Sequence, residues 1–211
     1  MTTIYRDRAD AGAALAERLT ALMGQSDVIV LGLVRGGVEV AAVVADRLRV
    51  PLDILVVRKL GVPWAPEVAF GAIGPGGVQV LTDGPAGQLD PDQVAEVVRR
   101  ETAELQRRER LYRADRPPLD LNGRTAVIVD DGLATGATAR AAVAVARHMG
   151  AKRVVVTVPV GSIDAYEALA AAADEVICLQ KPPDFAAVGA YYEDFHEVSD
   201  EEVGAMLTAK A

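Results

Sequence analysis

Residues 126–138 read Ala-Val-Ile-Val-Asp-Asp-Gly-Leu-Ala-Thr-Gly-Ala-Thr and join three local patterns. The apolar, β-branched run at the start predicts a buried strand, and the small residues after the two aspartates predict a tight loop. The apolar spacing from residue 137 to residue 149 then predicts a helix. Strand, loop and helix in this order are typical of open α/β sheets, whose ligands bind beyond the carboxyl ends of the strands.

The loop between this strand and this helix has the chemistry of a phosphate site. A helix N-terminus offers unpaired backbone N–H groups and the positive end of the helix dipole, and Gly136 lets the backbone approach a ligand closely. Thr135 and Thr138 add hydroxyl donors. The predicted phosphate cradle comprises Leu133, Ala134, Thr135, Gly136, Ala137 and Thr138.

Two carboxylates precede the cradle. Asp130 and Asp131 lie at the predicted strand end, where they can accept hydrogen bonds from a vicinal diol or hold a hard cation through water. A phosphate and a sugar diol together indicate a ribose 5-phosphate ligand. A Walker A loop is excluded, because only three residues separate Gly132 from Gly136 and no lysine precedes Thr138. A dinucleotide fingerprint is excluded too, because no Gly-x-Gly-x-x-Gly motif follows a strand.

The composition narrows the class of protein. A chain of 211 residues with 51% hydrophobic content is long enough for one well-buried domain, which we place over residues 1–211. The net charge of −8 argues against a nucleic-acid partner, which would need a basic face. Cys178 is the only cysteine, which is consistent with a reducing compartment. Without an apolar signal core or a run of membrane-spanning length, the sequence predicts a cytoplasmic protein with no membrane partner.

Two further junctions between a strand and a loop carry cations. Residues 28–33 are a continuous apolar run, and the run at residues 51–57 is apolar except for Asp53, so both predict strands. The first run leads into Arg35-Gly36-Gly37, and the second leads into Arg58-Lys59. Since parallel strands deliver their loops to one rim, these cations and the acid pair predict a site for a doubly phosphorylated ligand. The alternative is that the cations are solvated surface residues.

The order of the elements predicts the fold class. Apolar strands alternate with helices, which predicts an α/β fold with an open, mostly parallel sheet flanked by helices. Residues from about 60 to 82 are rich in glycine and proline and predict a lid built on a hairpin. A long helix over residues 90–113 is dominated by arginine and glutamate, so it is either solvated or faces a second subunit in a homodimer.

Residues 126–138 resemble the phosphoribosyl pyrophosphate (PRPP) signature of type I phosphoribosyltransferases, in which a strand leads to two acidic residues and a Thr-Gly-x-Thr loop. The resemblance implies a non-proline cis peptide beside Arg35 and a Mg²⁺ ion held by Asp130 and Asp131 through water. It implies pyrophosphate binding by Arg35, Gly36, Gly37, Arg58 and Lys59. The catalytic residues that it implies are Asp130, Asp131, Arg58 and Lys59.

The C-terminal region resembles the base-covering hood of 6-oxopurine phosphoribosyltransferases. The hood would span residues from about 181 to 203, with Phe185, Tyr191 and Tyr192 covering a flat base; the alternative is that these rings anchor the chain. Two departures oppose a purine assignment. Those enzymes carry an acidic residue in the middle of the phosphate loop, where this chain has Ala134. They also carry a lysine near the end of the strand before the hood, and no lysine occurs at residues 158–161 here.

The sequence therefore predicts a Mg²⁺-dependent phosphoribosyltransferase that transfers the phosphoribosyl group of PRPP to a nitrogenous base and releases pyrophosphate. Two alternatives stay open: a PRPP-binding regulator without turnover, and an enzyme for another sugar phosphate. We also expect that replacing both Asp130 and Asp131 by Asn weakens PRPP binding but leaves stability nearly unchanged, because exposed loop carboxylates contribute little to folding.

Overall fold

The computed structural model describes residues 3–81, 89–113 and 116–208. Its main layer is a five-stranded parallel sheet in the order β2-β1-β6-β7-β8. The strands of the described residues are β1 (Val28–Gly32), β2 (Leu52–Ile54), β3 (Arg58–Val62), β4 (Ala65–Ile73), β5 (Gln79–Leu81), β6 (Thr125–Val129), β7 (Arg153–Val160) and β8 (Glu175–Gln180). The helices are α1 (Arg8–Arg18), α2 (Gly36–Leu48), α3 (Pro91–Arg113), α4 (Ala137–His148), α5 (Ile163–Ala170) and α6 (Asp200–Thr208).

Helices cover both faces of the sheet, which explains its continuous apolar strands. Every residue of β1 and of β6 is buried. Side chains alternate between the two faces of a strand, so Val28 and Val30 join one core while Ile29 and Leu31 join the other. Helices α1, α2, α3 and α6 contribute to the first core, and α4 and α5 contribute to the second. The predicted open, mostly parallel sheet flanked by helices is confirmed.

A second, smaller sheet carries the segment predicted as a lid. Strands β3, β4 and β5 form an antiparallel sheet, and the predicted hairpin corresponds to β4 and β5. Trp64 lies in the turn between β3 and β4 and is 65% exposed. The last residue of the predicted lid, Thr82, lies outside the described residues.

The prediction that a third strand spans residues 51–57 and that Arg58 and Lys59 follow its end was wrong. Strand β2 stops at Ile54, and Arg58 opens β3 of the smaller sheet. Residues 55–57 are buried but lie in no strand, because the chain leaves the edge of the main sheet there. A mostly apolar run does not reveal the residue at which the chain leaves one sheet and enters another.

The N-terminal segment meets the segment that follows β8. Tyr5 forms a parallel bridge with Tyr192, and its backbone N–H donates to the carbonyl oxygen of Tyr191 at 2.9 Å. The segment that follows β8 therefore lies against the N-terminal segment. Across the described ranges, none of the helices combines the length and apolarity that crossing a membrane requires.

Candidate active site

The acid pair, Asp130 and Asp131, is in direct contact with the glycine loop at residues 35–37. The contact arises because the strands that precede these two segments are neighbours. Gly32, at the end of β1, pairs with Val129 at the end of β6. A Cβ atom built on Gly36 would lie 2.0 Å from an Asp131 carboxylate oxygen, and one on Gly37 would lie 2.7 Å from the Val129 carbonyl oxygen. At Gly37 this approach requires glycine, because the atom in the way belongs to the backbone, whereas at Gly36 it is the end of the Asp131 side chain. The structure thus brings together two predicted parts of the site that are nearly a hundred residues apart.

Arg35 lies at the start of the glycine loop. The peptide bond between Val34 and Arg35 is cis, as the family resemblance implied. The Arg35 side chain is 39% exposed and pairs with the Glu197 carboxylate on the C-terminal segment. Arg35 therefore lies at the rim of the site, with an acidic partner that an anionic ligand would have to displace.

The loop before α4 presents its polar groups to solvent. Gly136 adopts a positive φ of 69°, in the left-handed region that glycine tolerates, and caps α4. Thr135 and Thr138 are exposed beside it. The Thr135 hydroxyl accepts from the Ala137 N–H at 3.4 Å, a long contact that an anion can replace.

Leu133 has a different place from the one predicted. Its N–H donates to the Val160 carbonyl oxygen at 2.9 Å, and its side chain is buried. The Ser162 hydroxyl donates to the Ala134 carbonyl oxygen at 2.8 Å. Leu133 therefore anchors the loop to the chain after β7, and its amide is not available to a ligand. Residues 134–138 remain as the candidate cradle.

The acid pair is electrostatically unfavourable without a ligand. Burial, followed by repulsion from Asp131, raises the pKa of Asp130 well above its ordinary value of 3.8. Burial also raises the pKa of Asp131, although a neighbouring guanidinium opposes the shift. The Asp131 N–H donates to an Asp130 carboxylate oxygen at 2.9 Å, which fixes the first carboxylate. A cation or sugar hydroxyl donors would favour the ionised form of both groups.

The guanidinium beside Asp131 belongs to Arg8, which the sequence analysis did not assign to the site. Its Nε lies 3.0 Å from an Asp131 carboxylate oxygen, and its Nη1 donates to the His196 carbonyl oxygen at 2.8 Å. Arg8 is only 5% exposed and also lies over the Phe195 ring, 4.1 Å from the centroid. No local motif marks Arg8, because 123 residues separate it from Asp131.

Arg58 and Lys59 line a cleft that reaches the phosphate loop. The cleft has a volume of about 440 Å³, and Thr138 lines it together with residues of β3 and α3. An Arg58 Nη lies 2.6 Å from a carboxylate oxygen of Glu101, a buried residue of α3. The predicted basic pair therefore lies within the candidate site, although it belongs to the smaller sheet.

The three aromatic residues predicted to cover a base differ in exposure. Tyr191 and Tyr192 are 7% and 6% exposed and pack in a cluster with Tyr5. The Tyr192 hydroxyl donates to the Asp131 carbonyl oxygen at 2.7 Å. Phe185 is partly buried and stacks on Tyr191 at a centroid distance of 5.8 Å. The two tyrosines therefore anchor the C-terminal segment, and Phe185 remains the candidate for contact with a base.

The donor set fits a cation that is shared with a ligand. Across residues 3–81, 89–113 and 116–208, no cluster of three or more metal-ligating side chains occurs. Asp130 and Asp131 supply carboxylate oxygens, the ligands that Mg²⁺ prefers, and two carboxylates leave most coordination positions to water and phosphate. The acid pair therefore fits a magnesium ion that arrives with a phosphorylated substrate.

Comparison with known families agrees with this geometry. A family model described as the phosphoribosyl transferase domain matches residues 2–196, which include the acid pair, both loops and the basic pair. The chain belongs to the phosphoribosyl transferase family. The matched range also includes Arg8 and Tyr192, which both form a hydrogen bond with Asp131.

Two proteins similar to this chain show how far the similarity extends. A protein of Mycobacterium tuberculosis, provisionally named a phosphoribosyl transferase, is 53% identical over 206 residues, which cover 97% of this chain. This chain spans 46% of that relative's length. The crystal structure of TT1426 from Thermus thermophilus superposes with a TM-score of 0.92 at 49% identity, and the match covers 100% of both chains.

Proposed function

We propose that this phosphoribosyl transferase moves the 5-phosphoribosyl group of PRPP to a nitrogenous base and releases pyrophosphate. The observation that supports the proposal most strongly is the contact between the glycine loop and the acid pair, with the phosphate loop beside them. A ligand with a 5-phosphate, a ribose diol and a pyrophosphate would satisfy all three parts at once. The free cysteine, Cys178, is consistent with work in the cytoplasm.

Each part of the site has a role in the proposed reaction. Residues 134–138 would hold the 5-phosphate through backbone N–H groups and threonine hydroxyls. Asp130 and Asp131 would accept hydrogen bonds from the ribose hydroxyls, and their negative charge would stabilise the positive charge that develops on the sugar. The cations that would hold the pyrophosphate are Arg35, Arg58 and Lys59.

Asp130 and Asp131 would hold a Mg²⁺ ion through water. The ion would supply positive charge that offsets the negative charge of the departing pyrophosphate. Closure of the small sheet over the cleft would exclude water from the reacting sugar. In this proposal the protein accelerates the reaction by binding and orienting the substrates, without a covalent intermediate on the protein.

Calorimetry with PRPP and Mg²⁺, followed by a pyrophosphate-release assay across a panel of nitrogenous bases, tests the proposal. We expect PRPP binding and release with at least one base, and the Asp130→Asn variant should bind PRPP at least about tenfold more weakly, since a hydrogen bond to a charged group is lost. Asp27→Asn is the matched control, because Asp27 is exposed at the opposite end of β1. Absence of PRPP binding by the wild type would contradict the proposal.

A second function is favoured by one feature of the loop. Ala134 stands where 6-oxopurine enzymes carry an acidic residue, and it offers no group that could act as a general base. PRPP binding without pyrophosphate release from any base would assign the protein to PRPP-binding regulators.

A further inference from the structure

Helix α3 forms one wall of the cleft that contains Arg58 and Lys59. Arg100, Glu101 and Arg108 of this helix line the cleft, and so does Thr138 at the end of the phosphate loop. Because residues 100 and 108 are eight positions apart, this wall runs about 12 Å along the helix axis. The sequence pattern of α3 suggested only a solvated or subunit-facing surface.

A shared carboxylate fixes two of the arginines. One carboxylate oxygen of Glu101 lies 2.6 Å from an Arg58 Nη and accepts from the Arg58 Nε at 2.8 Å. The other oxygen lies 3.0 Å from an Arg100 Nη and accepts from the Arg100 Nε at 3.1 Å. Glu101 is 7% exposed, whereas the Arg100 side chain is 64% exposed. The buried carboxylate therefore holds both guanidiniums at the surface of the cleft.

The charge of the cleft lining is strongly positive. Its ionisable side chains are four cations and the single carboxylate of Glu101. Glu104, which does not line the cleft, accepts from the Arg108 Nε at 2.7 Å. Within the described part of the chain, this is the one hydrogen bond of the Arg108 guanidinium, which has five N–H donors. A cleft of this volume and charge fits an anion larger than a single phosphate.

We propose that α3 supplies a wall of the pyrophosphate site, in which Arg100 and Arg108 contact the anion and Glu101 positions Arg58 and Arg100. This inference rests on the proposed function for the identity of the anion. The inference adds contacts from α3 to those of the glycine loop and of the basic pair, Arg58 and Lys59. Helix α3 carries no recognisable motif.

The test measures the affinity of the full chain for pyrophosphate with Mg²⁺ and, separately, for ribose 5-phosphate. Arg100→Gln and Arg108→Gln should each weaken pyrophosphate binding roughly tenfold, because each removes a charge-assisted hydrogen bond. Ribose 5-phosphate binding should stay unchanged, since it depends on the loop before α4. Loss of both affinities to the same extent would overturn the inference.

The helix itself offers matched controls. Arg99 pairs with Glu96, and Arg107 pairs with Glu104, yet neither lines the cleft. Arg99→Gln and Arg107→Gln remove the same charge and should change pyrophosphate affinity less than about twofold. If these variants weaken binding as much as Arg100→Gln and Arg108→Gln, the effect is a general one of charge and the inference is wrong.

A double-mutant cycle tests the positioning role of Glu101. Glu101→Gln should weaken pyrophosphate binding, and its effect should shrink in the Arg100→Gln background, because the two residues act through one contact. Tighter binding by Glu101→Gln would show that the carboxylate competes with the anion and would overturn this role. If Glu101→Gln does not fold, the two arginine variants still decide whether α3 contacts the anion.

The outcomes separate this inference from the proposed function. If the wild type binds PRPP but Arg100→Gln and Arg108→Gln bind pyrophosphate normally, the inference about α3 is wrong and the proposed function is retained. If the wild type binds pyrophosphate through α3 but does not bind PRPP, the inference about α3 is retained and the proposed function is wrong. If the wild type binds neither, both are wrong.

Discussion

Asp130 and Asp131 are adjacent in sequence but differ in what they contribute to the folded state. Asp131 is a partner of the buried Arg8, and its side chain is 17% exposed. Burial raises the pKa of both carboxyl groups, so it opposes the ionised form of each. The difference is that repulsion from Asp131 adds to the shift of Asp130, whereas Asp131 is the carboxylate that pairs with Arg8. The expectation that replacing both by Asn leaves stability nearly unchanged treated them as exposed loop residues, whereas both are only partly exposed.

We predict opposite stability changes for the two single variants. Asp131→Asn weakens the ion pair of a buried guanidinium and should lower the free energy of unfolding by about 1–3 kcal/mol. Asp130→Asn removes a disfavoured charge but keeps an oxygen for the Asp131 N–H, so it should raise the free energy of unfolding at neutral pH. Urea unfolding of both variants at one pH measures the difference, and equal changes in the same direction would contradict it.

The advantage of Asp130→Asn should depend on pH. Because the pKa of Asp130 is higher in the folded than in the unfolded protein, the folded state binds more protons between the two values, and wild-type stability falls as pH rises through that window. The stability difference between Asp130→Asn and wild type should be small near the ordinary value of 3.8 and grow towards neutral pH. Thermal unfolding across this range is the measurement. A difference that is constant with pH would exclude Asp130 as its source.

The loops and helices of the site depend on close approach between elements. A Cβ on Gly37 would meet backbone atoms at the end of β6 and just after it, with the Val129 carbonyl oxygen at 2.7 Å and the Asp130 Cα at 2.9 Å. Backbone atoms in a paired strand cannot move aside as a flexible side chain can. The short separation of α2 from the end of β6 is therefore a property of this glycine.

We expect Gly37→Ala to separate the glycine loop from the acid pair. The variant should lose about 1–3 kcal/mol of stability, as overpacking does, and should bind PRPP more weakly because the two loops no longer meet. Gly204→Ala is the control, since a Cβ there meets nothing within 4 Å and alanine suits a helix better than glycine. Urea unfolding and calorimetry measure both effects. A Gly37→Ala variant as stable and as active as the control would contradict the argument.

The boundaries of the elements show where local pattern was sufficient. Strand β7 coincides with the mostly apolar run at residues 153–160, and the Ser162 hydroxyl caps α5 by accepting from the Ala165 N–H at 3.2 Å. The run at residues 51–57 misled, because burial continues after β2 ends and the chain crosses to the smaller sheet. Periodicity reports burial, and burial alone does not say which sheet a residue joins.

At the scale of the whole molecule, the N-terminal segment and the segment after β8 both pack against the acid pair. The bridge between Tyr5 and Tyr192 holds the N-terminal segment against the chain after β8, and the Arg8 contact with the His196 carbonyl oxygen extends the same junction. Both ends then bond to one residue, since Arg8 contacts the Asp131 carboxylate and Tyr192 contacts its carbonyl oxygen. The geometry of Asp131 is therefore coupled to the packing of both ends.

We predict that Tyr192→Phe lowers the free energy of unfolding by about 1–3 kcal/mol, because the Asp131 carbonyl oxygen loses its buried donor. PRPP binding should weaken as well, since the same carbonyl belongs to the acid pair. Tyr166→Phe is the control, because the Tyr166 ring keeps its contact with the Lys181 Nζ, 3.9 Å from the centroid, without the hydroxyl. Calorimetry and urea unfolding test both statements. Equal behaviour of the two variants would show that the Tyr192 hydroxyl has no special role.

The functional residues that lie next to one another in the chain could be predicted from the sequence. The strand, the two aspartates, the glycine and the threonines of residues 126–138 follow one another, so backbone preference and donor chemistry predict a ligand loop before any packing is known. The partners of that loop were not readable. Arg8, Glu101 and Tyr192 reach the site from distant positions through the packing of α1, α3 and the C-terminal segment. Local sequence governs which conformation a segment prefers, whereas the side chains that meet across elements depend on how the elements pack.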